Sequence, residues 1–498
     1  MAESEKSDER SLKDTLKAFA QDTTCHGIGG IVRTKHTVVK ILWSLLFIAA
    51  MGTILFQVSE LFRLYTLHKL KTHISDAPQG FTEFPSVTIC NRNPISKSAL
   101  EEADGAQFKL LKSKYQAMNS FDEKVTTSLT SPNQTISMTG DFYQYLEEYR
   151  EQVGNIWYSG LSLLGQNKET FIQRCIFRGK TCDASNFSLQ ISPVYGNCYT
   201  FNSNELLDHS LGIWRAGSLG GLELVLNIEL HEYVPYVSDG YGVRLTIHEF
   251  GTFAFVQTGG ISVSPGIRTH THLNLVNMKR HPWFCTYRDG FEEEYSKKYT
   301  TMTCELEVFD KLVFEECRCQ LAVMEIPLKR QGNVAFCNET KEGKACVKVL
   351  KQSILDGGQI VQRLTSLSGE CKKPCKEKIF EISRSSSKWP QHSTLKFLTW
   401  ELCQRARKIN ASHVCAIPKE DNFVNLVVSF DTTRYENREQ VLALSVSGLQ
   451  ASVGGTLGLW AGMSMLTLPE VVLLIIDLIR LFRRSRSPDV GAQKGADH

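Results

Sequence analysis

Two long apolar runs stand near the two ends of an otherwise mixed chain. The first, Ile41 to Val58 (ILWSLLFIAAMGTILFQV), is eighteen residues without a charge, preceded by Val38, Val39 and Lys40. A membrane-crossing helix needs ~20 apolar residues, so this run with its flanks predicts one. It begins after some 37 hydrophilic residues and no small-residue cleavage site follows; that predicts an uncleaved signal anchor rather than a signal peptide. The second run extends from Gln440 to Pro469, thirty residues with no Asp, Glu, Lys or Arg, and continues through Glu470 and Asp477 to Phe482. As one straight helix it would be roughly 60 Å long, twice a hydrocarbon core of ~30 Å. It is therefore strongly tilted, projects from the bilayer, or is broken.

Between the runs the periodicity changes. Thr82–Cys90 (TEFPSVTIC), Leu222–Leu230 (LELVLNIEL), Val243–His248 and Asn425–Phe430 read as strands, rich in β-branched or apolar residues and bounded by Gly, Pro, Asp or Asn. Ser98–Thr170, Tyr295–Glu315 and Lys344–Leu355 carry Leu, Phe and Tyr at helical spacing. The expectation is a mixed α+β region with a β core and a helical subdomain. The polar Glu3–Lys17 and Ser485–His498 segments read as mobile ends, and no repeat or low-complexity segment stands out.

Charge gives the orientation. Arg33, Lys35 and Lys40 precede the first run, and Arg480, Arg483, Arg484 and Arg486 follow the second. The positive-inside rule then puts both ends of the chain in the cytosol and the roughly 380 residues between the runs outside. The net charge of +3 gives no reason to invoke nucleic acid. Four sequons, at Asn133, Asn186, Asn338 and Asn410, all fall between the runs. Of the 15 cysteines only Cys25 lies outside that region. The remaining even set, in an oxidising compartment, predicts up to seven disulfides in preference to a metal site.

Enzyme motifs are missing: there is no GxSxG, HExxH or P-loop, and His26-Gly-Ile-Gly-Gly lacks the third glycine and preceding strand of a dinucleotide fingerprint. The glycines of VGGTLGLWAGMS (453–464) have two readings. Gly454, Gly458 and Gly462 form a small-xxx-small face for close helix packing. Alternatively, Gly462-Met463-Ser464 marks a break whose carbonyls and hydroxyl face water and ions, the one place a membrane tolerates open backbone. Glu470 and Asp477 share a face two turns apart; they line the inner mouth of a cation path or sit where the helix leaves the bilayer.

These stretches resemble those of the degenerin/epithelial sodium channel/acid-sensing ion channel superfamily, over nearly the whole chain. Phe84-Pro-Ser-Val-Thr-Ile-Cys-Asn91 with Asn93 is similar to the family's motif after the first span. Tyr195-Gly-Asn-Cys-Tyr-Thr-Phe-Asn202 is similar to its central signature, and His26-Gly27 to its cytosolic gating motif. Ser264-Pro-Gly266, Trp389-Pro390 and Gly454-Gly455 also fit, and Gly462-Met463-Ser464 stands in place of its Gly-x-Ser selectivity filter, with Met463 where a small residue is usual.

The resemblance implies an α+β membrane protein with two transmembrane helices and a large disulfide-rich ectodomain of palm, finger, knuckle, thumb and β-ball. Three copies would form a sodium-selective, amiloride-blocked channel in the plasma membrane bilayer, with no cofactor beyond the permeant sodium ion. Residues 1–37 would be the cytosolic N-terminus, 38–62 the first span, 63–438 the ectodomain (finger about 98–170, thumb about 287–380), 439–482 the second span, and 483–498 the cytosolic C-terminus. His26 and Gly27 would form the inner pore together with Glu470, and Ala451 occupies the degenerin position, where bulk would hold the channel open. By the same analogy the pairs are Cys90–Cys198, Cys175–Cys182, Cys285–Cys375, Cys304–Cys371, Cys317–Cys346 and Cys319–Cys337, leaving Cys403–Cys415 to bond to each other. There is no C-terminal PPxY, no adjacent histidine pair at His68 and His73, and Ser452 replaces the outer-vestibule aspartate of acid-sensing members. These departures favour an extracellular neuropeptide ligand of the FMRFamide type, bound in the 98–170 region. Proton gating, constitutive opening and, from a different class, a two-span ectoenzyme or adhesion receptor are the alternatives.

Overall fold

The computed structural model describes residues 12–77, 80–130, 161–192, 194–288, 290–321, 335–337, 340–357, 359–408 and 420–485. It contains two compact units: one from residues 1–72 with 440–498, the other from 73–439.

The larger unit is built on two sheets. The first runs, by hydrogen-bonded neighbours, Leu70–Asp76, Glu436–Leu442, Ile267–Lys279, Phe423–Phe430, Leu222–Asn227, Ile172–Phe177 and Lys180–Cys182, with Lys376–Lys388 also pairing Ile267–Lys279. Ile267–Lys279 is antiparallel to Lys376–Lys388 along its whole length (Ile267↔Lys388 to Lys279↔Lys376) and parallel to Phe423–Phe430 (Arg268↔Asn425). Every residue of Phe423–Phe430 is buried, as a central strand covered on both faces requires. The second sheet runs Ile261–Val263, Val243–His248, Ser86–Asn91, Gly196–Phe201 and Phe187–Ser192. Ser86–Asn91 and Gly196–Phe201 are wholly buried, and one core joins the sheets through Phe84, Ile89, Phe201, Leu224, Leu426 and Phe430. Phe84 is its keystone, edge-on to Phe177 at 5.1 Å, Phe430 at 6.2 Å and Phe201 at 6.4 Å.

Two groups of helices have apolar clusters separate from the core of the sheets. Lys97–Glu102, Ala106–Thr130 and Leu161–Leu164 share a cluster of Leu100, Leu111, Tyr115, Met118 and Leu164. Thr301–Cys317, Lys341–Leu355 and Gln359–Ser368 form a braced group. Thr300 and Thr340 cap the first two through bonds from Thr303 N (3.2 Å) and Gly343 N (3.0 Å), an arrangement that contributes ~1 kcal/mol each.

Some expectations need correction. TEFPSVTIC is two strands, Thr82–Glu83 and Ser86–Asn91, because Pro85 has no N–H to give a ladder and Phe84 N–H turns aside to Leu211 O at 2.7 Å. The strand at Leu222 stops at Asn227; Glu229 takes φ 51°, and Leu230–Glu232 is a 3-10 turn. Leu12–Lys17 is the start of a helix, Leu12–Asp22, its apolar residues at one-turn spacing.

In the smaller unit, Thr37–Thr66 is a continuous helix of 30 residues, ~45 Å long. Among the described residues it alone is long and apolar enough to cross a membrane. Leu45, Leu46, Ile48, Leu55 and Phe56 on it are exposed within the chain. The second apolar run is broken. Residues 439–442 belong to the strand Glu436–Leu442, of which Glu436–Glu439 pair with Val276–Lys279, so no helix starts there. Ser445 then caps Val446–Ala461, and Thr467–Ser485 follows as a separate helix.

Candidate functional site

The break between the two halves of the second apolar run is built by short-range bonds. Gly462 ends the first half at φ 65°, a left-handed conformation that glycine adopts without a Cβ penalty. Its N–H bonds Gly458 O at 3.0 Å, and Met463 N–H reaches Leu457 O at 3.3 Å. A helix leaves its last carbonyls outside the ladder; those of Leu459, Trp460 and Ala461 follow at the break and are candidate oxygen ligands for a cation. Ser464 opens the next half: its hydroxyl accepts Leu466 N–H at 3.2 Å, and its carbonyl accepts Thr467 N–H at 3.0 Å. Its own N–H donates to Thr467 Oγ1 at 3.0 Å. The serine thus closes the turn that precedes Thr467–Ser485 and also places a hydroxyl at the break.

The segment ahead of the first span comes to the same place. His26–Arg33 is a short helix. A Cβ added to Gly462 would lie 1.8 Å from His26 Nδ1, so the imidazole occupies the space that glycine leaves. On the same helix, a Cβ at Gly27 would meet the Phe47 ring at 2.2 Å, and one at Gly30 the Trp43 ring at 3.2 Å. Two glycines three apart make a flat face for two aromatic rings four apart on Thr37–Thr66. Just before it, Thr23 Oγ1 (3.0 Å), Thr24 N (3.0 Å) and Thr24 Oγ1 (3.3 Å) all donate to Glu470 Oε2. Thr24 Oγ1 also pairs with Thr467 Oγ1 at 2.7 Å. Buried Cys25, Ile54 and Ala461, with Phe47, Leu457 and Met463, form the apolar centre of this unit. Met463 is therefore a packing residue here.

The structure thus brings His26, Gly27, Gly462, Met463, Ser464 and Glu470 together. Asp477 lies apart, paired with Arg480 at 3.3 Å. Ala451 is exposed within the chain, and a Cβ at Gly454 or Gly455 would meet nothing within 4 Å. Residues that sequence reading missed are Thr23, Thr24, Gly30, Trp43, Phe47 and Thr467. The Gly27-x2-Gly30 spacing against Trp43-x3-Phe47 was a readable signal; the threonines had none.

In the larger unit the two long motifs are scaffold. Asn91 Nδ2 donates to Gln166 Oε1 (2.7 Å) and Ile228 O (2.9 Å), while its Oδ1 accepts from Tyr233 OH at 2.6 Å. Asn93 Nδ2 donates to Glu232 O at 2.8 Å, and Tyr199 OH to Gln166 O at 2.6 Å. Asn202 bonds Phe84 O at 2.7 Å and accepts Leu211 N–H at 2.8 Å. Gly196, at φ 71°, has Pro94 O where a Cβ would be. Six disulfides join pairs of described residues: Cys90–Cys198, Cys175–Cys182, Cys285–Cys375, Cys304–Cys371, Cys317–Cys346 and Cys319–Cys337. Cys403 is disulfide-bonded, and Cys415, its expected partner, lies outside the described residues. So do Asn133, Asn338 and Asn410. Asn186 is exposed, its Oδ1 accepting Asp183 N–H at 3.0 Å. Among the described residues no group of His, Cys, Asp and Glu could hold a metal ion.

Comparison with known proteins covers the same span. The family described as amiloride-sensitive sodium channel matches residues 19–474. The epithelial sodium channel subunit alpha of Anolis carolinensis is 24% identical over 545 residues, covering 95% of this chain and 82% of that one. The Gallus gallus protein of the same name is 26% identical over 546 residues, covering 94% and 81%. Acid-sensing ion channel 1C of Danio rerio is 26% identical over 495 residues, covering 96% and 86%.

Proposed function

We propose, because this chain belongs to the amiloride-sensitive sodium channel family, that three copies of it form a sodium-selective, amiloride-blocked channel opened by an extracellular ligand. The family consists of plasma-membrane ion channels, and the chain is not an enzyme. The observation that carries the reading is the approach of His26 to Gly462 at the helix break, with Glu470 tied to the same segment. In this reading the second run crosses the membrane as two half-helices and both ends of the chain are cytosolic. Its break presents carbonyl and Ser464 oxygens to sodium, in place of part of the ion's water shell. The open faces at Gly454 and Gly455 accommodate the helices of neighbouring copies. Asn186 and the three other sequons carry glycans on the outer side, and the braced helices 301–368 act as the thumb.

For the trigger, the leading reading is a neuropeptide bound near residues 98–170. Relatives named as acid-sensing channels keep proton gating as the second. Whole-cell recording from cells expressing this chain alone tests both. The expected result is inward sodium current, blocked by amiloride, on applying peptides ending in Arg-Phe-amide. Current evoked by acid but by no peptide removes the peptide reading and leaves the channel. At the break, Ser464→Asp keeps a side-chain oxygen for the Leu466 N–H while Ser464→Ala removes it. Both are expected to change the sodium-to-potassium permeability ratio; an unchanged ratio in both overturns the filter assignment.

A further inference from the structure

A cavity of about 510 Å³ opens in the larger unit, lined by residues of 96–99, 163–170 and 229–232. Three carboxylates line it, Glu169, Glu229 and Glu232; Lys97 and Lys168 belong to the same segments but are not among its lining residues. The hydrogen bonding there is incomplete in one place. Glu232 Oε2 accepts Ser98 N–H (2.8 Å) and Ser98 Oγ–H (2.9 Å), and its Oε1 faces His231 Nε2 at 3.5 Å. Glu229 is only 5% exposed, and its Oε1 is buried without a hydrogen-bond partner. Its backbone is fixed at φ 51° by bonds from its own N–H to Asn227 Oδ1 (3.4 Å) and from Glu232 N–H to its carbonyl (2.8 Å).

A buried carboxylate oxygen without a donor is expensive. Burial, reinforced by Glu232, pushes the Glu229 carboxyl up to about 7. A site with surplus negative charge and a missing donor fits a cation. The carboxylates do not gather into a group able to hold a metal ion, and the space exceeds what a bare ion fills. A hydrogen-bond-donating organic cation suits it better: its head meets the carboxylates and its carbon chain lies along Ala99 and Leu163.

We propose that this cavity is a ligand site for a primary ammonium group, with Glu229 as the principal acceptor. The group is carried by a small amine or by the free N-terminus of a short peptide. This deepens the ligand-gated reading and rests on it for one step only, that occupancy opens the channel. Asn91, Asn93 and Gln166 act as positioning residues, since they hold the Ile228–Glu232 segment and the 161–171 segment together.

The test is binding to the purified full-length protein in detergent at pH 8, measured by titration calorimetry. The probes are n-butylammonium, neutral n-butanol, Phe-Met-Arg-Phe-amide and its N-acetylated form. Butylammonium is expected to bind and butanol not to. Glu229→Gln should weaken the ammonium at least tenfold. Ala99→Lys, which supplies an ammonium within the chain, should do the same even if Glu229→Gln fails to fold. Equal affinity in wild type and both variants, or no binding of any ammonium probe, overturns the site. Tenfold weaker binding of the acetylated peptide supports the peptide terminus as the source. Binding of butylammonium with no difference between the two peptides supports the site with a small amine as its ligand. Loss of binding in the variants, in a channel that opens to acid alone, supports the site while removing the ligand-gated reading.

Discussion

Gly462 answers to two demands that no other residue meets together. Its φ of 65° disfavours any side chain, by about 1–2 kcal/mol, and His26 Nδ1 stands 1.8 Å from where a Cβ would be. Gly462→Ala is therefore expected to displace His26 and reduce surface current at least tenfold. His26→Ala in the same chain should restore part of it, by removing the clash but not the backbone strain. A double-mutant cycle checks this: strictly additive losses would mean the two sites do not touch. Sequence alone left packing and a broken helix both open for these glycines. The structure separates them by position, since Gly462 closes a helix against an imidazole, whereas Gly454 and Gly455 face open space. That difference was not legible because glycine's helical spacing is the same for both uses.

At the scale of elements, the helix His26–Arg33 depends on its flat side. Gly30→Leu would drive a side chain into the Trp43 ring, which already lies 3.2 Å from a Cβ. Overpacking of this kind typically destabilises by ~1–3 kcal/mol. We expect lower surface expression and a lower melting temperature of purified protein; an unchanged melting temperature would show that the helix is free of Thr37–Thr66. Hydrophobic periodicity found a minority of the strands, Val243–His248 without adjustment, and missed long ones such as Ile267–Lys279 and Lys376–Lys388. Where the reading failed, a backbone detail decided. Pro85 interrupts one strand, Glu229 ends another by turning left-handed, and Glu436–Leu442 takes a sheet register where apolar composition pointed to helix. Periodicity reports which side chains are buried and is blind to such turns. The threonines that hold Glu470 were illegible for a different reason: their partner lies over 440 residues away.

For the whole molecule, buried Glu229 and half-buried His248 pull stability in opposite directions with pH. The Glu229 carboxyl, raised by burial to about 7 from 4.5, binds more protons folded than unfolded. Its contribution is present at low pH and is lost as pH rises from about 4.5 through 7. His248 is hydrogen-bonded to Thr88 and Thr252 at 3.0 Å each. Burial and nearby Lys297 push its imidazole down to about 4 from 6.5. Its contribution is present above pH 6.5 and is lost as pH falls toward 4. The melting temperature of the full-length protein should pass through a maximum in mildly acidic solution. Glu229→Gln should flatten the alkaline limb and His248→Gln the acidic one. A Glu229→Gln profile that superimposes on wild type would show that this carboxyl titrates normally.

The bonds from Thr23 and Thr24 to Glu470 also set an order in time. Their partners are separated by 447 and 446 residues, so at ~5–20 residues per second the ribosome takes on the order of a minute to deliver the second after the first. Throughout that interval the glycine face can dock on Thr37–Thr66, yet the two threonines and the His26 ring have nothing to receive them. A nascent chain is thus marked as unfinished at its very beginning until its end arrives. Chains cut short before residue 462 should keep the mark, and cells would have a local feature by which to retain and degrade them.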